Sequence, residues 1–168
     1  MNTHSKNIST VNKQISENYV EEVRRVFGHR PLIFVAVPVI ILDDQYRVLL
    51  QLRADDQTWC LPGGYMEIGE STIETAQREI REETGLEIGT LSLFDVYSGA
   101  EFFNEYPNGD QVFSVSVVYF THDVHGDLKP DGQEGLELGY FSLEDLPLKL
   151  TPQARTIVES FWRKNGIA

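Results

Sequence analysis

Cysteine is nearly absent: Cys60 is the only one in 168 residues. No intrachain disulfide can form, and a four-cysteine zinc site is excluded. Basic residues are scarce as well, with 14 Lys and Arg against 26 Asp and Glu and a formal net charge of −12. A nucleic-acid backbone calls for a basic surface, so DNA and RNA are not expected partners. A small phosphate compound can still bind where divalent cations sit between its oxygens and the carboxylates. No apolar run approaches the roughly 18–20 residues that span a membrane, and no membrane partner is expected. The opening MNTHSKNISTVNKQ is polar and lacks the apolar core of a secretory signal. A reducing cytoplasm is the expected compartment.

What is present suits one folded domain. Hydrophobic residues make up 41% of the chain, enough for a sizeable core at this length. Residues 1–13 read as a flexible tail. Ile15, Tyr19, Val23 and Phe27 then recur at helical spacing, with Gly28 as a stop, so a helix is expected over 14–28. PLIFVAVPVIIL (31–42) reads as a buried strand with Pro38 marking a bulge or edge, and YRVLLQLR (46–53) as its hairpin partner. Further strands are expected at 59–68, 86–99, 111–124 and 136–141. Ser71 to Thr84 reads as a helix with a Ser71/Glu74 capping box and a Gly85 exit. A last helix opens at Thr151-Pro152 and runs through Ala154, Ile157, Phe161 and Trp162. There is no internal repeat or linker, and residues 29–168 are expected to form one mixed α+β domain.

The helix at 71–84 is crowded with acid. At about 100° per residue, Ile73, Ala76 and Ile80 share a core-facing stripe. Glu79 and Glu83 fall along its border, and Glu82 lies about a quarter-turn further round. Like charges four residues apart destabilise a helix by a few tenths of a kcal/mol. Two glycines, Gly63 and Gly64, precede the helix in a loop whose backbone carbonyls can join a cation site. Carboxylates plus a carbonyl form an all-oxygen shell suited to Mg²⁺ or Mn²⁺. Such a cation would neutralise the crowding.

The spacing is more specific still. Gly64, Glu70, Arg78, Glu79, Ile80, Glu82, Glu83, Gly85 and Leu86 match G-x5-E-x7-R-E-U-x-E-E-x-G-U, with U aliphatic, at all nine defined positions. The chain thus resembles the Nudix hydrolases, and the order of its flanking strands and last helix is similar to a full Nudix domain. The resemblance implies an α/β/α sandwich around a mixed sheet, with the N-terminal helix as an addition. It implies hydrolysis of a nucleoside diphosphate linked to another group, X. It also makes Glu79, Glu82, Glu83 and the Gly63 carbonyl ligands of Mg²⁺ or Mn²⁺. Arg78 and Glu70 would pair and orient the glutamates. Glu82 would be the general base, with Glu134, in the loop before the late strand, as the other candidate.

Arg53, Gly64, Tyr65 and Phe103 are the candidates for contact with the substrate, Arg53 for a phosphate and the aromatics for a base. Phe102 and Tyr106 are further stacking candidates. ADP-ribose hydrolases of the family tend to carry a proline about fifteen residues past the box; here the next proline is Pro107. A tyrosine typical of dinucleoside polyphosphate hydrolases is replaced at that distance by Phe102 and Phe103. A nucleoside triphosphate and an ADP-sugar are the leading substrates. The alternative is a non-catalytic Nudix nucleotide-binding or regulatory module. The apolar stripe of the N-terminal helix must be buried somewhere, and a homodimer is one way to do it.

Overall fold

The computed structural model describes residues 18–166. The expected tail, and Ile15 of the N-terminal stripe, lie outside those residues. Helix α1 (Tyr19–Phe27) begins at Asn18, whose side chain accepts the N–H of Glu21, and ends at Gly28. No residue of α1 is fully buried, and Phe27 is exposed. The helix is tied down by polar contacts instead. The Tyr19 N–H donates to Glu67, and Arg24 donates to the carbonyls of Gly28, Arg30 and Gln111.

The expected strand over 31–42 is broken in two at Val37-Pro38. Strands β1 (Leu32–Ala36) and β2 (Val39–Ile41) both run parallel to β8 (Gln111–Thr121) along one of its edges. The other edge of β8 carries β6 (Ser92–Tyr97) and β7 (Phe103–Glu105), both antiparallel, so the five-stranded sheet is mixed. The expected hairpin between 31–42 and 46–53 does not form. A single bridge joins Leu42 to Val48. Strand β3 (Val48–Arg53) instead lies between β10 (Gly135–Phe141) and β4 (Trp59–Cys60), antiparallel to both. The short β5 (Glu87–Ile88) pairs with β9 (Val124–His125), so the expected strands over 86–99 and 111–124 are also each divided.

Side chains alternate across a strand, and β2 and β3 use both faces. Val39, Ile41 and Leu49 pack against Ala76 and Ile80 of α2 (Thr72–Thr84). Ile40, Val48 and Leu50 pack against Ala154, Ile157, Val158, Phe161 and Trp162 of α3 (Pro152–Asn165). Helices therefore cover opposite faces of the strands, which is the α/β/α sandwich expected.

Helix α2 holds the expected caps. Ser71 accepts the Glu74 N–H, Glu74 reaches back to the Ser71 N–H, and Gly85 takes a left-handed φ of 73°. Ile73 corrects the expected stripe: it is 46% exposed. The burial of α2 begins at Thr75, so the first turn carries Ile73 ahead of the core. Replacing Ser71 by Ala removes the cap and is expected to cost about 1 kcal/mol. A thermal melt should fall by about 2–4 °C for a chain of this size. An unchanged melt would show that the cap contributes nothing.

Candidate active site

The break at Pro38 builds the site. Proline has no N–H, and its neighbours donate outward: Val37 N–H to the Gly64 carbonyl and Val39 N–H to the Pro62 carbonyl. Gly63 lies between these two anchors. Its φ is 132°, and a Cβ there would meet the Val37 carbonyl oxygen at 2.3 Å, so only glycine fits. The Gly63 N–H donates to Glu83 at 2.7 Å. Among the described residues its carbonyl accepts no hydrogen bond, unlike the carbonyls on either side.

Arg78 is the hub of the acidic helix. Its guanidinium donates to both oxygens of Glu70 at 2.6 and 3.0 Å. It also reaches Glu79 at 2.6 Å, Glu82 at 3.2 Å and the Tyr65 carbonyl at 3.0 Å. Arg78 holds the Glu70 carboxyl down at about 2. Gly64 lies hard against Glu79, where a Cβ would stand 2.4 Å from its Oε1.

The three box glutamates sit at different depths. Glu83 is only 6% exposed. Burial pushes its carboxyl up to about 8, against the pull of Gly63 and Gln51, and the charges of Glu79 and Glu134 add to the rise. Burial also raises Glu79, although Arg78 opposes it. The Glu82 side chain is 56% exposed at the rim.

Among the described residues no three of these carboxylates already converge as a finished cage, since each is turned to a donor of the protein. The donor set is nonetheless all oxygen, includes a free carbonyl, and carries more negative charge than one arginine balances. Those features fit a hard divalent cation.

These groups border a cleft of about 1000 Å³. Arg78, Glu79, Glu82, Glu83, Gly63 and Gly64 line it, as does Glu134. Arg53 also lines it, held by Asp55 and lying 5.5 Å over the Tyr106 ring. The Tyr106 hydroxyl meets that of Tyr65, also in the lining, at 2.8 Å. Phe103 departs from expectation. Its ring packs 5.0 Å from Phe113, and it is not among the lining residues, whereas Phe102 is. Phe102 ends a short 3-10 turn (Ala100–Phe102) that turns its ring inward, where it is buried, and Phe103 starts β7.

Four further residues were not among the sequence candidates. Arg24, Arg25 and His29, in and just after α1, line the same cleft. Gln51, buried in β3, donates to Glu83 at 2.8 Å. A lone amide in the apolar run VLLQLR was the available signal for Gln51.

A profile of the NUDIX domain matches residues 32–161, most of the chain. This chain belongs to the Nudix family. An ADP-ribose pyrophosphatase of Methanocaldococcus jannaschii is 36% identical over 135 residues, which are 79% of this chain and 75% of that protein. A Bacillus subtilis protein provisionally named an 8-oxo-dGTP diphosphatase is 34% identical over 76% of this chain and 78% of its own length. Among solved structures, a MutT Nudix hydrolase from Burkholderia pseudomallei superposes with a TM-score of 0.65 at 30% identity, over 76% of this chain and 97% of the other.

In this Nudix hydrolase the Glu70–Arg78 pair should be visible in stability against pH. A carboxyl depressed from 4.5 to about 2 stabilises the fold above pH 4.5, and that contribution is lost as pH falls toward 2. Glu70→Gln should cost about 1–3 kcal/mol near pH 7, typical of hydrogen bonds to a charged group. It should also flatten the slope of stability between pH 4.5 and 2. Urea melts across that range check both, and an unchanged slope would refute the pairing as a stabilising element.

Proposed function

We propose that the protein hydrolyses the pyrophosphate bond of a nucleoside diphosphate linked to X, with Mg²⁺ or Mn²⁺ held by Glu79, Glu82, Glu83 and the Gly63 carbonyl. The observation that carries this is the nine-position box, whose Glu79, Glu82 and Glu83 border one cleft together with Gly63. A bound cation would supply a Lewis acid for the pyrophosphate oxygens and for the attacking water. The chain's own groups do the rest. Arg78, fixed by Glu70, orients Glu79 and Glu82. Glu82 is the general base: it is exposed at the rim, and its one described partner is Arg78 at 3.2 Å. Glu134 is the second candidate, since it borders the same cleft. Arg53 and Gly64 meet the phosphates, and Tyr65 meets the remainder of the substrate.

The substrate is a nucleoside triphosphate or an ADP-sugar. Relatives named for each type match at similar identity, 34% and 36%, so similarity alone does not rank the two. A full phosphate-release screen over a nucleotide library with Mg²⁺ and Mn²⁺, coupled to pyrophosphatase and phosphatase, identifies the class. With the substrate so found, Glu82→Gln should lower kcat by at least about 100-fold, the low end for a general base. Near-normal turnover by the folded, metal-saturated variant would sink the assignment.

α1 contributes to the cleft wall, yet leaves Val26 77% exposed and Phe27 beside it uncovered. The proposed assembly is a homodimer that buries this face. Light scattering at micromolar concentration should give twice the chain mass for the full-length protein and the single mass once residues 1–28 are deleted. A monomeric full-length protein would end the dimer and leave α1 as a wall alone.

A further inference from the structure

Gln51 is the one amide side chain buried among the described residues, at 2% exposure. It sits on the central strand of its sheet, opposite Leu138 of β10 on one side and Cys60 of β4 on the other. Its strand neighbours Leu49, Leu50 and Leu52 are apolar. The amide nitrogen donates to Glu83 Oε1 at 2.8 Å. The amide oxygen is buried and, among the described residues, accepts no hydrogen bond. An unpartnered buried carbonyl is costly, and a methionine or leucine would fill the same space without it. The only described return on that cost is the bond to Glu83.

That bond completes a clamp. Gly63 N–H holds Glu83 Oε2 at 2.7 Å, and Gln51 holds Oε1. One donor alone leaves the carboxylate free to swing about its last torsion. Two donors on different oxygens fix its plane and leave the other lone pairs in a set direction. The far side of the amide is set just as closely. A Cβ on Gly135 would come within 2.5 Å of Gln51 Oε1, so the absence of a side chain there is what lets the amide reach Glu83. The Gly135 N–H is itself fixed by Asp131 at 2.8 Å, in the loop that carries Glu134.

We propose that Gln51 is a positioning residue that sets the Glu83 carboxylate for the cation, with Gly135 holding the amide in place. It acts through Glu83 and touches neither cation nor substrate. The inference rests on the reading of Glu83 as a cation ligand.

The test counts free Mn²⁺ by electron paramagnetic resonance during titration of the full chain, without nucleotide. Gln51→Met should raise the Mn²⁺ Kd about ten-fold or more, the usual loss when a supporting hydrogen bond to a ligand is removed. Gly135→Ala should raise it comparably, and it carries the test alone if Gln51→Met does not fold. The double variant should bind no worse than Gln51→Met, because the Cβ has no amide left to displace. At saturating Mn²⁺ the KM for nucleotide should stay within about two-fold, which separates loss of positioning from general loosening of the cleft. An unchanged Kd in either single variant, or losses that simply add in the double, would overturn the proposal. Glu83→Gln is the control. If it leaves the Kd unchanged, the ligand reading fails; if it weakens binding while Gln51→Met does not, the positioning role fails.

Discussion

The guanidinium of Arg78 has five N–H donors in one plane, and the described contacts use all of them, on Glu70, Glu79, Glu82 and the Tyr65 carbonyl. No other side chain could fill that place; a lysine would bring three donors and no fixed fork. The rest of the site depends on this junction. It joins α2 to the glycine loop through Tyr65, and it anchors the residues ahead of α2 through Glu70. It also sets the charge balance. One cation faces Glu70, Glu79 and Glu82, and Glu83 receives nothing from it. The upward shifts of Glu79 and Glu83 register that shortfall, because burial without enough positive charge favours the proton. A protein that only needed a stable helix would gain by removing these carboxylates.

A second constraint comes from the backbone. Pro38 interrupts the strand that Leu32 begins, and the N–H groups on either side turn to the carbonyls of Pro62 and Gly64. The glycine loop is therefore docked on the sheet at two points, with Gly63 pinned between them. Docking decides where its two polar groups go: the N–H to Glu83, and the carbonyl to no donor among the described residues. The position of Glu83 is thus tied to a proline 45 residues earlier in the chain (83 − 38). Strand and loop geometry reach the chemistry through one hydrogen bond.

The parts of this arrangement that were legible in the sequence are those written locally. The box spacing, the Ser71/Glu74 cap and the Gly85 exit each lie within one short stretch of chain, and the sandwich was what the resemblance of that box to the Nudix family implied. Pairing across distance was not legible. Val48–Arg53 carries an ordinary strand pattern that suits a hairpin with the preceding run, and nothing near it announces β10 some 85 residues on (135 − 50). Ile73 had the right angle on the helical wheel, but a wheel does not say where along the axis the core ends. Phe102 and Phe103 show the same limit at a strand boundary, where a one-residue shift exchanges inside for outside. Gln51 escaped because its partner, Glu83, had already been given a role that made no demand on β3.

The charge layout of the cleft bears on how a substrate would enter it. The chain carries −12 overall, and a free nucleotide polyphosphate is repelled by that field. Screening confines the effect to roughly 8 Å at physiological salt, so the residues at the rim decide the outcome. Around the cleft the two signs are interleaved, since Arg53 and Arg78 line it with the glutamates, and Glu21 and Asp110 line it with the basic residues of α1. Glu79, Glu82, Glu83 and Glu134 line it, and so do Arg24, Arg25 and His29 of α1 and the turn after it. A divalent cation on a phosphate chain offsets the carboxylates that would repel bare phosphate. Of the three basic groups, His29 is bonded to Asp110 at 2.8 Å and Arg24 to backbone carbonyls. Arg25 is exposed and lines the same cleft. An anionic ligand would therefore enter most readily together with a cation that offsets the acidic part of this lining.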